Sequence, residues 1–371
     1  MIRIRDFCDS NNIIINEQFG FRPKHSTTHQ LTRFLEYIFE GKNQKLITAA
    51  VFLDIAKAFD KVWIKALIFK LIKLNFAPYI IKIIDSYLSN RKFLVKVNNN
   101  LSSIHNIESG VPQGSKLGPL LFLIFINDIP KIDNSFLALF ADDTAIAAQA
   151  RTKTQAINIL NDYLNKLTHW FKFWKITLNE DKTQAIIFSQ KFHDAPPLFI
   201  NNTPVKFSNT ITYLGIIFDK GLTWANHFKY LTNRFNLIKR TLYPLIGPNS
   251  HLNLSNKLLI YKTILRPVIS YTSPVFGGAA MSHIKKLESL QLQTVKLITK
   301  LPWYCRYKSI LKDIKLPTIH DFLLFSTENY YEKIIYHPNQ LIKNLPIYDS
   351  SPPLNLKRPR ALLWKKPNST N

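Results

Sequence analysis

The chain has 371 residues, with 49 Lys+Arg against 24 Asp+Glu and a formal net charge of +25. That length supports two or three domains, and that charge points to a polyanion, nucleic acid first, with an acidic protein or membrane surface as the alternative. Two cysteines, Cys8 and Cys305, exclude a disulfide framework and a Cys-based zinc site, and the apolar run at 120–126 falls short of the ~18–20 residues a membrane span needs.

Arg3, Arg5 and Asp6 interrupt the start of the chain. The expectation is therefore an intracellular protein of the nucleus or cytoplasm, not secreted and without a membrane partner. Residues 1–16 show no obvious beginning to a domain. Over 16–27, Gly20 and Pro23 break the chain as a loop, and Arg22, Lys24 and His25 suit either an anion site or an exposed basic loop. Ser26 or Thr27 caps a helix whose Leu31, Phe34, Leu35 and Ile38 repeat at helical spacing. An apolar strand over 46–55 ends on Asp54, where a buried carboxylate needs a partner. Asp60 reads as a cap or first-turn acid of a helix over 62–74, stopped by Pro78. Of only 10 glycines, Gly110, Gly114 and Gly118 fall within 109–119. They hold Gln113 on a stiff loop before Pro119 opens an apolar helix; a plain strand-to-helix connection is the simpler alternative.

Phe140-Ala141-Asp142-Asp143 lies between apolar stretches at 135–141 and 144–148, each the length of a buried strand. The acidic pair then tops a hairpin. Two like charges so close either raise one pKa or hold a divalent cation; a solvated turn is the plainer reading. An amphipathic helix follows over 154–174, with Ile157, Leu160, Leu164 and Leu167 on one face. A loop and strand cover 175–188, where Lys182 is either a proton donor to a leaving phosphate or a solvated turn lysine. A strand over 210–219 precedes helical sequence from Trp224, first with Leu231, Phe235, Ile238, Leu242 and Leu245 in one stripe. A helix over 254–265 ends at Pro267, and Ile284, Leu287, Leu290 and Leu297 form a further stripe beside Lys285, Lys286, Lys296 and Lys300. Beyond Pro302 the pattern is less regular, and the tail with Pro352, Pro353, Lys357, Arg358, Pro359, Arg360, Lys365 and Lys366 reads as extended or disordered.

Carboxylates at Asp54, Asp142 and Asp143 within a basic chain suit Mg²⁺ and nucleotidyl transfer on a nucleic acid. The stretches Ala50 through Asp60, Ser109 through Leu121, and Phe140-Ala141-Asp142-Asp143 resemble the ordered motifs of a reverse transcriptase. With Gln18-Phe19-Gly20-Phe21-Arg22, His25-Ser26-Thr27 and Tyr213-Leu214-Gly215, the chain resembles the non-LTR (LINE-type) retrotransposon polymerases of the jockey group over residues 16–300. The resemblance implies an α+β right-hand polymerase. Its parts would be partial fingers at 1–49, a palm with an antiparallel sheet and inserted helical segments at 50–225, a helical thumb at 226–300 and a C-terminal extension at 301–371. It implies that Asp54, Asp142 and Asp143 are the catalytic carboxylates, holding two Mg²⁺ ions, with Mn²⁺ as an alternative. Phe59 would exclude a ribose 2′-hydroxyl, Gln113 and Gly114 would touch the incoming nucleotide, and Arg22 would hold its triphosphate. Lys182 joins these nucleotide contacts, and Tyr213-Leu214-Gly215 would form the primer grip. The implied partners are an RNA template, a DNA primer and dNTPs. The chain starts almost on the Arg22 motif and carries no endonuclease, which reads as a truncated copy. The alternative function is an inactive remnant that binds RNA or an RNA–DNA duplex; a mobile-intron polymerase is a more distant reading.

Overall fold

A computed structural model describes residues 2–189, 196–302 and 304–346. The described chain divides into two compact units, one of residues up to 30 with 40–208, the other of 31–39 with the described residues from 209 to 346. The basic tail around Pro352 to Lys366 lies outside the described residues.

The first unit opens with α1 (Ile2–Ser10) and is built on a five-stranded sheet. Its strands are β1 (Ile47–Leu53), β2 (Ser135–Phe140), β3 (Asp143–Ala150), β4 (Gln184–Phe188) and β5 (Lys206–Phe207), in the order β5-β4-β1-β3-β2. All neighbours are antiparallel except β4 and β5. β1 is central and buried along almost its whole length, which explains its unbroken apolar sequence. Its alternate residues Ala49, Val51 and Leu53 share one core with α3 (Ile64–Lys73), α4 (Pro78–Leu88), α5 (Gly118–Phe125) and α6 (Lys153–Phe173). α5 is apolar on every side and every residue from Leu120 to Phe125 is buried, as a helix without a polar face requires. α6 starts at Thr152, whose hydroxyl accepts from Gln155 N, and it buries the expected Ile157, Leu160, Leu164 and Leu167. Helix α2 (Thr27–Asn43) starts at Ser26, which accepts from His29 N at 3.3 Å.

Several expectations shift. The helix expected over 62–74 is α3, and Pro78 does not stop it but opens α4, at the first-turn position where proline lacks no needed N–H. The strand expected over 210–219 is a hairpin, β6 (Thr210–Tyr213) and β7 (Ile216–Asp219), because Leu214 and Gly215 both take positive φ, 46° and 82°. This hairpin belongs to the second unit, where Phe34 packs edge-on against Phe218 at 5.5 Å. Buried Asp219 accepts from Gly221 N, Thr223 N and Trp224 N, fixing Trp224 at φ 66° ahead of α7 (Ala225–Thr241). Leu245 leaves the expected stripe and is 46 % exposed, since α7 ends before it and Tyr243–Ile246 starts a new turn with Pro244 inside. Pro267 does not end the 254–265 helix; Leu254–Ile260 runs through a π turn, Tyr261–Leu265, into the helix Arg266–Ser270. Beyond Pro302 the described chain is regular, with α9 (Ile319–Ile334) following α8 (Met281–Thr299) and a short helix Tyr307–Asp313. The mixture of helix and antiparallel sheet is the α+β class expected. Among the described residues, no helix is long and apolar enough to cross a membrane.

Lys70 is a buried cation of the first unit. Lys70 Nζ donates to Phe125 O and to Asp128 Oδ1, each at 2.5 Å, and sits 3.7 Å from the Trp174 ring centre. Burial pulls its pKa down to about 8, against the pull of Asp128. The folded pKa lies below the unfolded one, so Lys70 makes the chain more stable as pH rises from about 8 towards 10.5. Urea melts at pH 7.5 and 9.5 should show stability rising with pH, by roughly 1–3 kcal/mol from this group. Lys70→Met should flatten that rise, at a cost of about 1–3 kcal/mol because Phe125 O and Asp128 lose their donor; an unchanged pH slope in the variant would contradict this account.

Candidate active site

β1 pairs with β3 up to Leu53 opposite Thr144. Asp54 is the next residue along β1, and Asp143 precedes Thr144 on β3, so the register carries the two carboxylates to one end of the sheet. β2 and β3 are joined by a two-residue turn, Ala141-Asp142, closed by the pair Phe140 and Asp143. Ala141 holds φ 58°, a conformation that costs an alanine about 1–2 kcal/mol. Asp142 and Asp143 are both exposed and Asp54 is half-buried. The protein packed around Asp143, then the charges of Asp142 and Asp54, push its carboxyl up to about 6. Although its surface is open to solvent, the nearby like charges support that direction. Among the described residues no three His, Cys, Asp or Glu side chains stand in ion-holding geometry. The three carboxylates therefore share one electrostatic neighbourhood without forming a closed ligand set.

Asp54 is tied on its other side to the loop ahead of β4. Asn179 N donates to Asp54 O at 2.8 Å, and Ile55 bridges Leu178. Lys182 follows in that loop; its Nζ lies 3.9 Å from Asp54 Oδ2, with both side chains open to water. Such an exposed pair contributes little to stability.

The glycine-rich loop is fastened to the segment after Asp54. Gly110 N donates to Val62 O, Val111 N to Phe59 O, and Ser109 Oγ to Asp60 O. Gly110 has φ 85°, and a Cβ there would meet Asp60 O at 2.6 Å, so only glycine fits. Gly114, at φ 78°, has open space around it. Arg91 holds the loop from behind through Ser109 O and Gly110 O. Gln113 is exposed, and its Nε2 donates to Asp60 Oδ1 at 2.8 Å. Asp60 lies in a turn three residues before the Trp63 cap of α3, so it is not the helix cap or first-turn acid expected. Half-buried Phe59 stands between Phe122, at 4.9 Å, and Phe21, edge-on at 5.8 Å.

The loop before α2 also reaches this end of the sheet. Arg22 Nη1 donates to Ile15 O and Gln18 O, and burial lowers the Arg22 pKa. Buried Gln18 hydrogen-bonds the Ala141 peptide. In the sequence Gln18 and Gly20 are only letters of a motif; nothing in one sequence says that they face residue 141. Tyr213-Leu214-Gly215 lies in the second unit, as the β6–β7 turn, where Tyr271 Oη donates to Leu214 O at 3.2 Å.

Residues 2–218 match the family described as Reverse transcriptase (RNA-dependent DNA polymerase). The chain is 35 % identical, over 99 % of its length, to the probable RNA-directed DNA polymerase from transposon X-element of Drosophila melanogaster, covering 41 % of that protein. It is 34 % identical, over 94 % of its length, to the RNA-directed DNA polymerase from mobile element jockey of the same organism, covering 39 % of it. The chain thus spans about two fifths of these relatives. Among solved structures, an apo telomerase from Candida tropicalis aligns with 88 % of this chain and 53 % of its own at 12 % identity and a TM-score of 0.43, a likeness too low to add to the assignment. The match over more than half of the chain is to a single family, and the chain belongs to the reverse transcriptases, alongside the polymerases of non-LTR transposons.

Proposed function

We propose that this chain carries out RNA-directed DNA synthesis, adding a dNTP to the 3′-hydroxyl of a DNA primer on an RNA template. The observation that carries the reading is the β1–β3 register, which ends beside Asp54 on one strand and Asp143 on the other. In this reading the first unit contains the palm, with Asp54, Asp142 and Asp143 as its catalytic carboxylates, and the helices from α7 to α8 form the thumb. Tyr213-Leu214-Gly215 is the primer grip.

The donor set fits divalent metal. Three carboxylates supply the oxygen ligands that Mg²⁺ or Mn²⁺ prefers, and the charges of Asp142 and Asp54, which after burial help to raise the Asp143 pKa, are ones a cation would offset. When bound, two Mg²⁺ ions would activate the attacking hydroxyl and neutralise the leaving group. The primer hydroxyl loses its proton to water as its oxygen forms a bond to the α-phosphorus, the bond to the bridging oxygen breaks, and pyrophosphate leaves. Asp54, Asp142 and Asp143 orient these reacting groups. Lys182, close to Asp54, donates a proton to the pyrophosphate. Gln113 and Gly114 border the incoming nucleotide, Arg22 holds its triphosphate, and Phe59 blocks a 2′-hydroxyl. The charge of +25 supports a phosphate-lined path for template and primer.

Primer extension on an RNA template with Mg²⁺ should incorporate dNTPs. Asp142→Ala with Asp143→Ala should lower incorporation by about a thousandfold or more while salt-dependent RNA binding persists. Activity surviving in that variant would overturn the catalytic assignment; steeply salt-dependent binding with no incorporation by the parent chain would favour the RNA-binding reading. Asp60→Ala releases the Gln113 side chain and should raise the dNTP KM roughly fivefold with a smaller change in kcat. An unchanged KM would remove Gln113 from the nucleotide contacts.

A further inference from the structure

The acidic turn is held from outside by a residue that is not acidic. Gln18 is 1 % exposed, in the loop before α2. Its Oε1 accepts from Ala141 N at 2.9 Å, and its Nε2 donates to Ala141 O at a longer 3.4 Å. The same Oε1 accepts from Gly20 N at 2.8 Å, which fixes the amide's orientation. Two backbone bonds run alongside: Phe19 N donates to Leu139 O at 2.9 Å and Leu139 N to Glu17 O at 3.1 Å. Gly20 completes the fit, since a Cβ there would stand 2.2 Å from Ala141 N and 2.8 Å from Phe140 C.

Ala141 is the residue that needs holding. Its φ of 58° belongs to glycine or asparagine by preference, so the turn does not favour this shape on its own. A β-hairpin turn exposed to solvent could exchange among conformers, and each would swing the Asp142 and Asp143 side chains to a different place. The Gln18 amide bonds both the N–H and the C=O of Ala141, in one orientation only. A buried glutamine could serve merely to satisfy buried backbone groups. The contact, however, falls on the one strained peptide immediately ahead of the two carboxylates.

We propose that Gln18, seated by Gly20, is a positioning residue for the Asp142-Asp143 turn: it locks the Ala141 peptide so that the carboxylates are held ready for metal and substrate. This rests on the reading of Asp142 and Asp143 as catalytic carboxylates.

The test uses the full chain and Gln18→Met, which keeps side-chain size and removes both amide bonds. Mn²⁺ binding is followed by electron paramagnetic resonance without substrate, and primer extension in parallel, both per folded molecule. Gln18→Met should weaken Mn²⁺ binding about tenfold and lower kcat roughly 10- to 100-fold, with the dNTP KM within about threefold. Adding Ala141→Gly, which accepts the positive φ without strain, should restore at least about threefold of each loss. If Gln18→Met does not fold, Gln18→Asn, whose shorter side chain cannot reach both Ala141 groups, is judged by the same measurements. Mn²⁺ affinity and kcat within about twofold of the parent would overturn the proposal and show a purely structural glutamine. A parent chain that neither extends primers nor loses Mn²⁺ binding on Asp142→Ala with Asp143→Ala would instead overturn the catalytic reading beneath it.

Discussion

The structure of the first unit turns on the pairing of β1 with β3. A shift of one residue in that register would send every side chain of β1 to the opposite face and carry Asp54 away from Asp143. The register is protected because β1 is buried between two neighbours and its alternate residues feed one continuous core with α3, α5 and α6. Burial that contributes roughly 2 kcal/mol or more per large apolar side chain thus fixes the position of a carboxylate that packing itself gains nothing from. The result is a cluster of like charges at the end of the sheet, which adds to burial in raising the Asp143 pKa.

Around that end, hydrogen bonds to the backbone join segments far apart in sequence. Gly110 and Val111 bond to Val62 and Phe59, Asn179 bonds to Asp54, and the 17–20 loop bonds to Leu139 and Ala141. Glycine is required where these segments meet most closely, at Gly20 and Gly110, because a Cβ at either would collide with backbone atoms. A protein with only 10 glycines places these two where backbone meets backbone. The same closeness brings Asp60 to Gln113, so the stretch after Asp54 helps to orient the exposed glutamine of the loop.

The parts of this arrangement that were legible in the sequence are those with a local signature. The β1 strand, the Asp142-Asp143 hairpin, the Ser26 cap and the buried face of α6 follow from apolar period and capping chemistry. The β6–β7 turn was hidden because Leu214 carries no turn signal, although Gly215 does. Pro78 and Pro267 look like stops because proline marks a boundary from either side, and only the structure shows which side is helical. The Asp60–Gln113 bond and the Gln18 clasp join residues 53 and 123 positions apart, a separation at which neither period nor composition carries information.

The central claim is that Asp54, Asp142 and Asp143 act as one metal-binding set. Diffraction from crystals of this chain grown with Mn²⁺, using anomalous scattering to locate the ion, addresses it directly. The account predicts an anomalous peak at about 2.2 Å from carboxylate oxygens of Asp54 and of Asp142 or Asp143 together. Manganese bound elsewhere, or on the turn carboxylates with Asp54 turned away, would contradict it.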